Sequence, residues 1–307
     1  MNSPAAHGIS VHLIDGTWEL FRYFFALPSH RTATGAEVGA LRGVLGSMLG
    51  LLEDGATHLG VATDHVIESF RNEIWPGYKT GEGVDPLLLG QLHPLEDALE
   101  AMGVPVWRMV EFEADDGIAS AAALAGREET VERIYLCSPD KDLAQCVEGS
   151  RIVQLDRGRK RLFDDAGVRE RFGVGPESIP DWLALVGDSA DGYPGLPGFG
   201  PRSASGLLAR FGHIESIPDD PAQWQVALRG TERLGRVLRE GRTQAMLFKD
   251  LATLRETADV GHQVDDWLWC GPSAGFERLC ATLDAPALAR RAYALAARRS
   301  SPSAAPA

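Results

Sequence analysis

The chain has 307 residues, 44% hydrophobic and 24% charged, ordinary values for a globular protein that exclude wholesale disorder. Its longest apolar run, Gly43 to Leu52, is about half of the ~20 residues a bilayer span needs, and no basic stretch leads into an apolar one at the start. Cys137, Cys146, Cys270 and Cys280 form no CxxC pair and no zinc-like spacing, so a reduced, cytoplasmic protein without membrane contact is expected. Acidic residues exceed basic ones, 43 against 30. The excess is uneven: Arg151 to Phe172 carries seven Arg/Lys against four Asp/Glu, and Pro201 to Arg255 nine against six. Basic strips beside acidic clusters suit a phosphate substrate held with metal ions, so net charge alone excludes nothing.

In chain order, short apolar, β-branched runs predict strands at Ser10–Ile14, His58–Thr63, Val104–Val110, Arg133–Cys137 and Arg151–Leu155. Helical patterns lie between them at Val38–Glu53, Leu87–Met102 and Ala114–Ala125. This alternation predicts a parallel sheet with right-handed crossovers, whose working residues gather at the carboxyl ends of the strands. Asp15, Asp64, Asp140 and Asp142 fall at such ends. From about Val174 the chain reads mainly as helices with Gly/Pro-rich turns, the most distinctive being Pro194–Pro201, followed by a helical run from Arg202 to Phe211. The Ser/Pro/Ala-rich end, from about residue 296, is expected to be disordered.

Five acidic clusters stand out: Asp15; Asp64; Glu113-Ala-Asp115-Asp116; Asp140-Lys-Asp142; and Asp188-Ser-Ala-Asp191. Any one of them alone is more readily a helix cap or a turn. Together, at strand and helix ends, they point to metal ligands, because carboxylates so dense repel unless cations sit among them. Oxygen donors without His or Cys favour Mg²⁺ or Mn²⁺ over zinc. Two such ions would clamp a phosphodiester and activate water.

The turn Gly195-Leu-Pro-Gly198-Phe-Gly200, followed by Arg202-Ser203, has the form of a helix–hairpin–helix, with amides offered to a phosphate, although a plain glycine-rich connector reads almost as well. Arg229, Arg233, Arg236, Arg239 and Arg242 recur at helical spacing, either as a solvated face or as a phosphate-tracking one. Arg22, Arg71 and Lys79 are isolated basic residues in apolar or aromatic surroundings, and Trp75 and Tyr78 offer rings for packing or for base stacking.

Taken together, His12–Arg22, Ser69–Lys79, Phe112–Asp116, Ser138–Asp142 and Trp182–Asp191 running into Pro194–Gly200 resemble the 5′-nuclease family. That family comprises the 5′→3′ exonuclease domain of bacterial DNA polymerase I, phage 5′-exonucleases and flap endonucleases. The resemblance runs from about residue 10 to 212, and more weakly to about 290. It implies a PIN-like (Rossmann-like) α/β core over 1–173 with an arch at about 70–95. It also implies a helical DNA-binding subdomain over 174–295, with its hairpin at about 182–212, and a disordered tail over 296–307.

The resemblance further implies a metal-dependent nuclease acting at 5′ flaps, ends or nicks of DNA, with two Mg²⁺ or Mn²⁺ ions and K⁺ at the hairpin. Asp15, Asp64, Glu113, Asp115 and Asp116 match the first metal position; Asp140, Asp142 and Asp191, with Asp188 close by, match the second. Arg22 and Lys79 match the residues that polarise the scissile phosphate. Arg71, Tyr78, Gly195, Gly198, Gly200, Arg202 and Ser203 match DNA-binding positions. A stand-alone monomeric bacterial enzyme is expected. The sequence departs from the family pattern at Glu82, where an arginine is usual, at Pro139 and Gly192, where Gly and Asn are usual, and at Arg202-Ser203 in place of Lys-Thr. Glu82 is what favours the alternative of a branched-DNA-binding protein with little or no catalysis. An RNA-cutting enzyme of the toxin-like nuclease fold is a third reading, ranked last for want of an arch and hairpin in those proteins.

Overall fold

The computed structural model describes residues 8–300; the expected disordered segment lies outside the described residues from 301 on. Six strands, β1 (Ile9–Asp15), β2 (His58–Asp64), β3 (Val106–Met109), β4 (Val131–Cys137), β5 (Ile152–Asp156) and β6 (Arg161–Phe163), hydrogen-bond in the order β3-β2-β1-β4-β5-β6. The β1–β2 and β2–β3 pairs are parallel, as expected, but β5–β6 is antiparallel, so the sheet is mixed. β6 escapes sequence reading because it is three residues long and follows Arg159-Lys160, with Lys160 at a left-handed φ of 54° in the tight turn.

The described chain forms two compact units, the division falling within β4. The first comprises residues up to 66, 82–134 and 257 onward. Its β2 is buried along six of seven positions, the pattern of a strand covered on both faces. Helix α1 (Gly16–Ala26) follows β1 directly, and α2 (Gly39–Glu53) buries Leu41, Val44, Leu45, Met48, Leu49 and Leu52 at i, i+3, i+4 spacing. The single helix expected over Leu87–Met102 is two, α4 (Pro86–Leu89) and α5 (Leu92–Ala101), numbered after α3 (Phe70–Ile74) of the second unit. The break falls at Gly90, whose carbonyl Pro94, in the first turn of α5, has no N–H to meet. Buried Gln91 turns its side-chain carbonyl to the Leu41 N–H at 3.1 Å and so satisfies an amide near the start of α2. Helix α6 (Ala114–Gly126) packs on β1 and β2.

The second unit comprises 67–81 and 135–256. It holds α7 (Asp165–Phe172), α8 (Ile179–Val186), α9 (Pro201–Phe211) and the long α10 (Thr231–Ala252). Trp182, Leu183, Leu207, Trp224, Leu238 and Phe248 anchor its core. The segment expected to form an arch, 70–95, is shared: 70–81 belong to this unit and 82–95 to the first. In the first unit, α11 (Phe276–Thr282) precedes α12 (Pro286–Ser300). Residues 296–300 therefore continue a helix rather than joining a disordered tail, and Arg299 bonds the Leu52 and Ala56 carbonyls there. Among the described residues no helix is long and apolar enough to cross a membrane.

Candidate active site

In the first unit the carboxylates sit where strands hand over to helices. Asp15 ends β1 and caps α1, accepting the Trp18 N–H at 2.7 Å. Asp64 ends β2; its N–H donates to Thr17 Oγ1 in the first turn of α1 at 2.8 Å, and its carboxylate accepts the Ala114 N–H, the first of α6, at 2.8 Å. Glu113 and Asp116 form a reciprocal capping box at the same helix start, the Glu113 N–H donating to Asp116 Oδ2 at 3.0 Å. These bonds draw Asp15, Asp64, Glu113 and Asp116 to one edge of the parallel strands, and Asp115 lies in the same first turn of α6. Asp15, Glu113 and Asp116 are buried.

The second unit gathers its acids more tightly. One carboxylate oxygen each of Asp142, Asp188 and Asp191 lies within 4.8 Å of the other two, and all three residues are buried. Asp142 starts the 3₁₀ turn Asp142–Cys146, its N–H donating to Asp140 Oδ1 at 3.0 Å. Gln154 of β5 holds this loop by donating to the Ser138 carbonyl at 3.0 Å and to that of Asp140. Burial, then Asp140, Asp191 and Asp188, push the Asp142 carboxyl well above the ordinary range. Asp140 is raised by burial and by Asp191, against the Asp142 N–H and the Lys79 and Lys141 ammoniums. Two lysines balance the charge: Lys79 Nζ lies 3.1 Å from Asp191, and Lys141 pairs with Asp188. That pairing, with Asp142 and Asp140 near, raises the Lys141 ammonium against its burial.

The donor chemistry fits a hard divalent ion. The trio offers only oxygens, and buried Asp142 Oδ1 has no hydrogen-bond partner among the described residues. A buried acceptor left so would cost about 1–3 kcal/mol, which a cation removes.

Of the basic residues, Arg22 is half-buried on buried Glu19 and the Tyr23 ring, 4.2 Å from its centroid. Arg71 and Tyr78 differ from the DNA-contact expectation. Arg71 is 1% exposed, its guanidinium donating to the Leu251 carbonyl at 2.8 Å and the Thr253 carbonyl at 3.3 Å, which ties α3 to the end of α10. Tyr78 is buried in the hydrophobic core of the unit, so its ring has no free face for a base. Trp75 is likewise packed, edge-on to Phe248, its indole N–H on the Gly192 carbonyl. Arg242 leaves the arginine stripe: it bonds the Ile214 and Ile217 carbonyls and Asp219, while Arg229, Arg233, Arg236 and Arg239 are exposed.

Between α8 and α9 the hairpin forms with Gly195 and Gly198 at left-handed φ of 68° and 84°. Arg202 is exposed, whereas Ser203 Oγ caps the helix by accepting the Gly200 N–H at 3.0 Å. The Gly192 departure has a steric reason: φ is 84°, and a Cβ there would sit 2.0 Å from the Gly77 carbonyl oxygen. Glu82 is exposed. Sequence reading missed Glu19, Lys141 and Gln154. Lys141 was in view between two candidate ligands, but Glu19 and Gln154 carry no signal in one sequence.

Two family models cover most of the chain: "5′-3′ exonuclease, N-terminal resolvase-like domain" over residues 10–173 and "5′-3′ exonuclease, C-terminal SAM fold" over 174–274. The chain belongs to the 5′-3′ exonuclease family. A 5′-3′ exonuclease of Aquifex aeolicus is 34% identical over 211 residues, 68% of this chain and 72% of that one. DNA polymerase I of Pseudomonas aeruginosa is 35% identical over 263 residues, 82% of this chain; the match spans 28% of the polymerase's length. Among solved structures, a bacteriophage T5 flap endonuclease in complex with DNA and metal ions superposes with TM-score 0.63 at 19% identity, covering 93% of this chain and 97% of that one. This 5′-3′ exonuclease chain thus has the PIN-like nuclease fold, a mixed sheet with helices on both faces, joined to a helical SAM-like part.

Proposed function

We propose that the chain is a divalent-metal-dependent, structure-specific 5′ nuclease, a 5′→3′ exonuclease and flap endonuclease that hydrolyses DNA phosphodiesters near 5′ ends or branch junctions. The buried trio Asp142, Asp188 and Asp191, in a chain of the 5′-3′ exonuclease family, carries the reading. A binding protein has no use for repulsion of that kind. Asp15, Asp64, Glu113, Asp115 and Asp116 would hold one Mg²⁺ or Mn²⁺, and Asp140, Asp142, Asp188 and Asp191 a second. Such ions, when bound, supply water activation and stabilise the departing 3′-oxygen.

The chain's own groups do the rest. Lys79 and Arg22 bring positive charge to the phosphoryl oxygens, where charge builds in the transition state. Asp191 and Glu19 hold those two cations in place before substrate arrives. Residues 174–295 form the DNA-binding part, with the backbone of Gly195, Gly198 and Gly200 and the exposed Arg202 facing phosphates, K⁺ at the hairpin, and the 70–95 arch admitting a 5′ single strand. The enzyme works as a monomer.

The test is a cleavage time course on a 5′-labelled flap duplex with Mg²⁺ or Mn²⁺, beside EDTA and Asp116→Asn. Metal-dependent cutting near the junction, absent from the variant, is expected. Tight binding without cutting under either metal overturns the reading.

A further inference from the structure

Outside the acidic sets, a second cluster of metal-binding side chains lies in the first unit, and the nuclease reading does not use it. The chain turns at His65, directly after β2, so that its imidazole meets α5, where His93 and Glu96 stand at i, i+3 on one face. A ring nitrogen of each histidine and a carboxylate oxygen of Glu96 lie within 4.8 Å of one another. We propose that His65, His93 and Glu96 form a site for a borderline divalent transition-metal ion of the Zn²⁺ class, distinct from the hard-ion acids.

Three features argue for it. The first is the donor set. Two neutral imidazoles and one carboxylate are the ligands Zn²⁺, Co²⁺ and Ni²⁺ prefer, and poor ones for Mg²⁺. The second is ring orientation. His65 Nδ1 lies 2.8 Å from Glu96 Oε2, and His93 Nε2 lies 2.9 Å from the His65 carbonyl. The carbonyl only accepts, so His93 Nε2 carries the proton and Nδ1 keeps a lone pair, its ring held through the other nitrogen as ligating histidines ordinarily are. At His65 the ion would take the proton's place between Nδ1 and Glu96 Oε2, the proton moving to Nε2. The rings also stack, 4.2 Å between centroids and 18° from parallel.

The third is access combined with anchoring. Glu96 is 1% exposed, yet His65 is half-buried and His93 exposed, so an ion enters from solvent onto a fixed carboxylate. Thr63 Oγ1 donates to Glu96 Oε1 at 2.7 Å and holds the carboxylate in orientation. Arg108 shares Glu96 at 3.3 Å, but it also bonds Asp97 at 2.7 Å and Glu100 at 3.1 Å, so it keeps two carboxylates when an ion takes the third. An ion here would pin the end of β2 to α5, one residue from Asp64. The site stands whether or not the chain cleaves DNA.

Co²⁺ titrated into the chelator-treated protein, with excess Mg²⁺ on the acidic sets, tests the proposal by its visible absorption. Wild type should take up one equivalent with the bands of a nitrogen-ligated, low-coordinate ion, which Zn²⁺ then bleaches. His93→Ala, at an exposed position where the fold is checked by circular dichroism, should bind about tenfold more weakly or worse. Asp142→Asn should keep the bands. Bands of equal strength in His93→Ala, bands lost in Asp142→Asn, or no uptake by wild type would each overturn the proposal.

Discussion

The two acidic sets solve the same electrostatic problem in opposite ways. In the first unit each placed carboxylate is already used by the backbone: Asp15 and Asp64 accept N–H groups at the starts of α1 and α6, and Glu113 and Asp116 cap each other's amides. Negative charge at a helix N-terminus is favourable, so these acids stabilise the fold on their own account. In the second unit Asp142, Asp188 and Asp191 face one another within 4.8 Å, with Lys79 and Lys141 set against them. There the carboxylates cost stability, and the need for a cation is correspondingly stronger. A ligand set can thus double as scaffold or be held against its own repulsion, and both kinds occur in one chain.

Replacing one acid from each set tests the contrast directly. Asp142→Asn and Asp116→Ala should each reduce metal-dependent cleavage by about 10³-fold, the several kcal/mol that such ions contribute. Their stabilities should move in opposite directions. Asp142→Asn removes a buried like charge at nearly constant shape, so the EDTA-treated variant should melt above wild type by about 1–2 kcal/mol of added stability. Asp116→Ala loses half of a capping box and should melt below wild type by about 1–2 kcal/mol. Added Mn²⁺ should raise the Tm of wild type more than that of Asp142→Asn. Equal destabilisation by both substitutions in thermal melts would remove the distinction.

A similar division runs through the basic residues. Arg71→Ala strips hydrogen bonds from two carbonyls at the end of α10 and empties a buried volume, and should cost about 3 kcal/mol in denaturant unfolding. Arg202→Ala, at an exposed position, should leave stability within about 0.5 kcal/mol and instead lower flap affinity and its salt dependence. An Arg71→Ala protein of native stability with weakened DNA binding would return Arg71 to the DNA face.

Much of this was legible in the sequence, for identifiable reasons. The strands β1 to β5 announce themselves as β-branched apolar runs, and Asp15 and Asp64 can be placed because a carboxylate that closes such a run must fall at a strand end. What stayed hidden depends on contacts between distant residues. Arg71 reads as a surface cation until its carbonyl partners 180 and 182 positions away are known. The bond of Gln91 to the Leu41 amide spans fifty residues and leaves no mark on the local pattern. His65 and His93, 28 residues apart, have no common motif and meet only because β2 leads into the α5 face. Tyr78 and Trp75 were ambiguous in principle, since packing and stacking call for the same side chains.

The smallest effect concerns pH and sharpens the contrast from the first unit's side. His58 opens β2, buried beneath the 268–269 segment, with its Nδ1 3.0 Å from Thr57 Oγ1. Burial lowers the imidazole below its ordinary range, against a weaker opposing pull from Asp265. The folded state therefore binds this proton less readily than the unfolded chain. Its contribution to stability is present above the ordinary imidazole pKa of about 6.5 and is lost as pH falls through the lowered folded value. Melting of the EDTA-treated protein should show a decline on acidification from pH 7 toward 5 that is shallower in His58→Gln, by about 1 kcal/mol or less. An unchanged pH profile in His58→Gln would show that Asp265 offsets burial and that folding leaves the proton affinity of the imidazole unshifted.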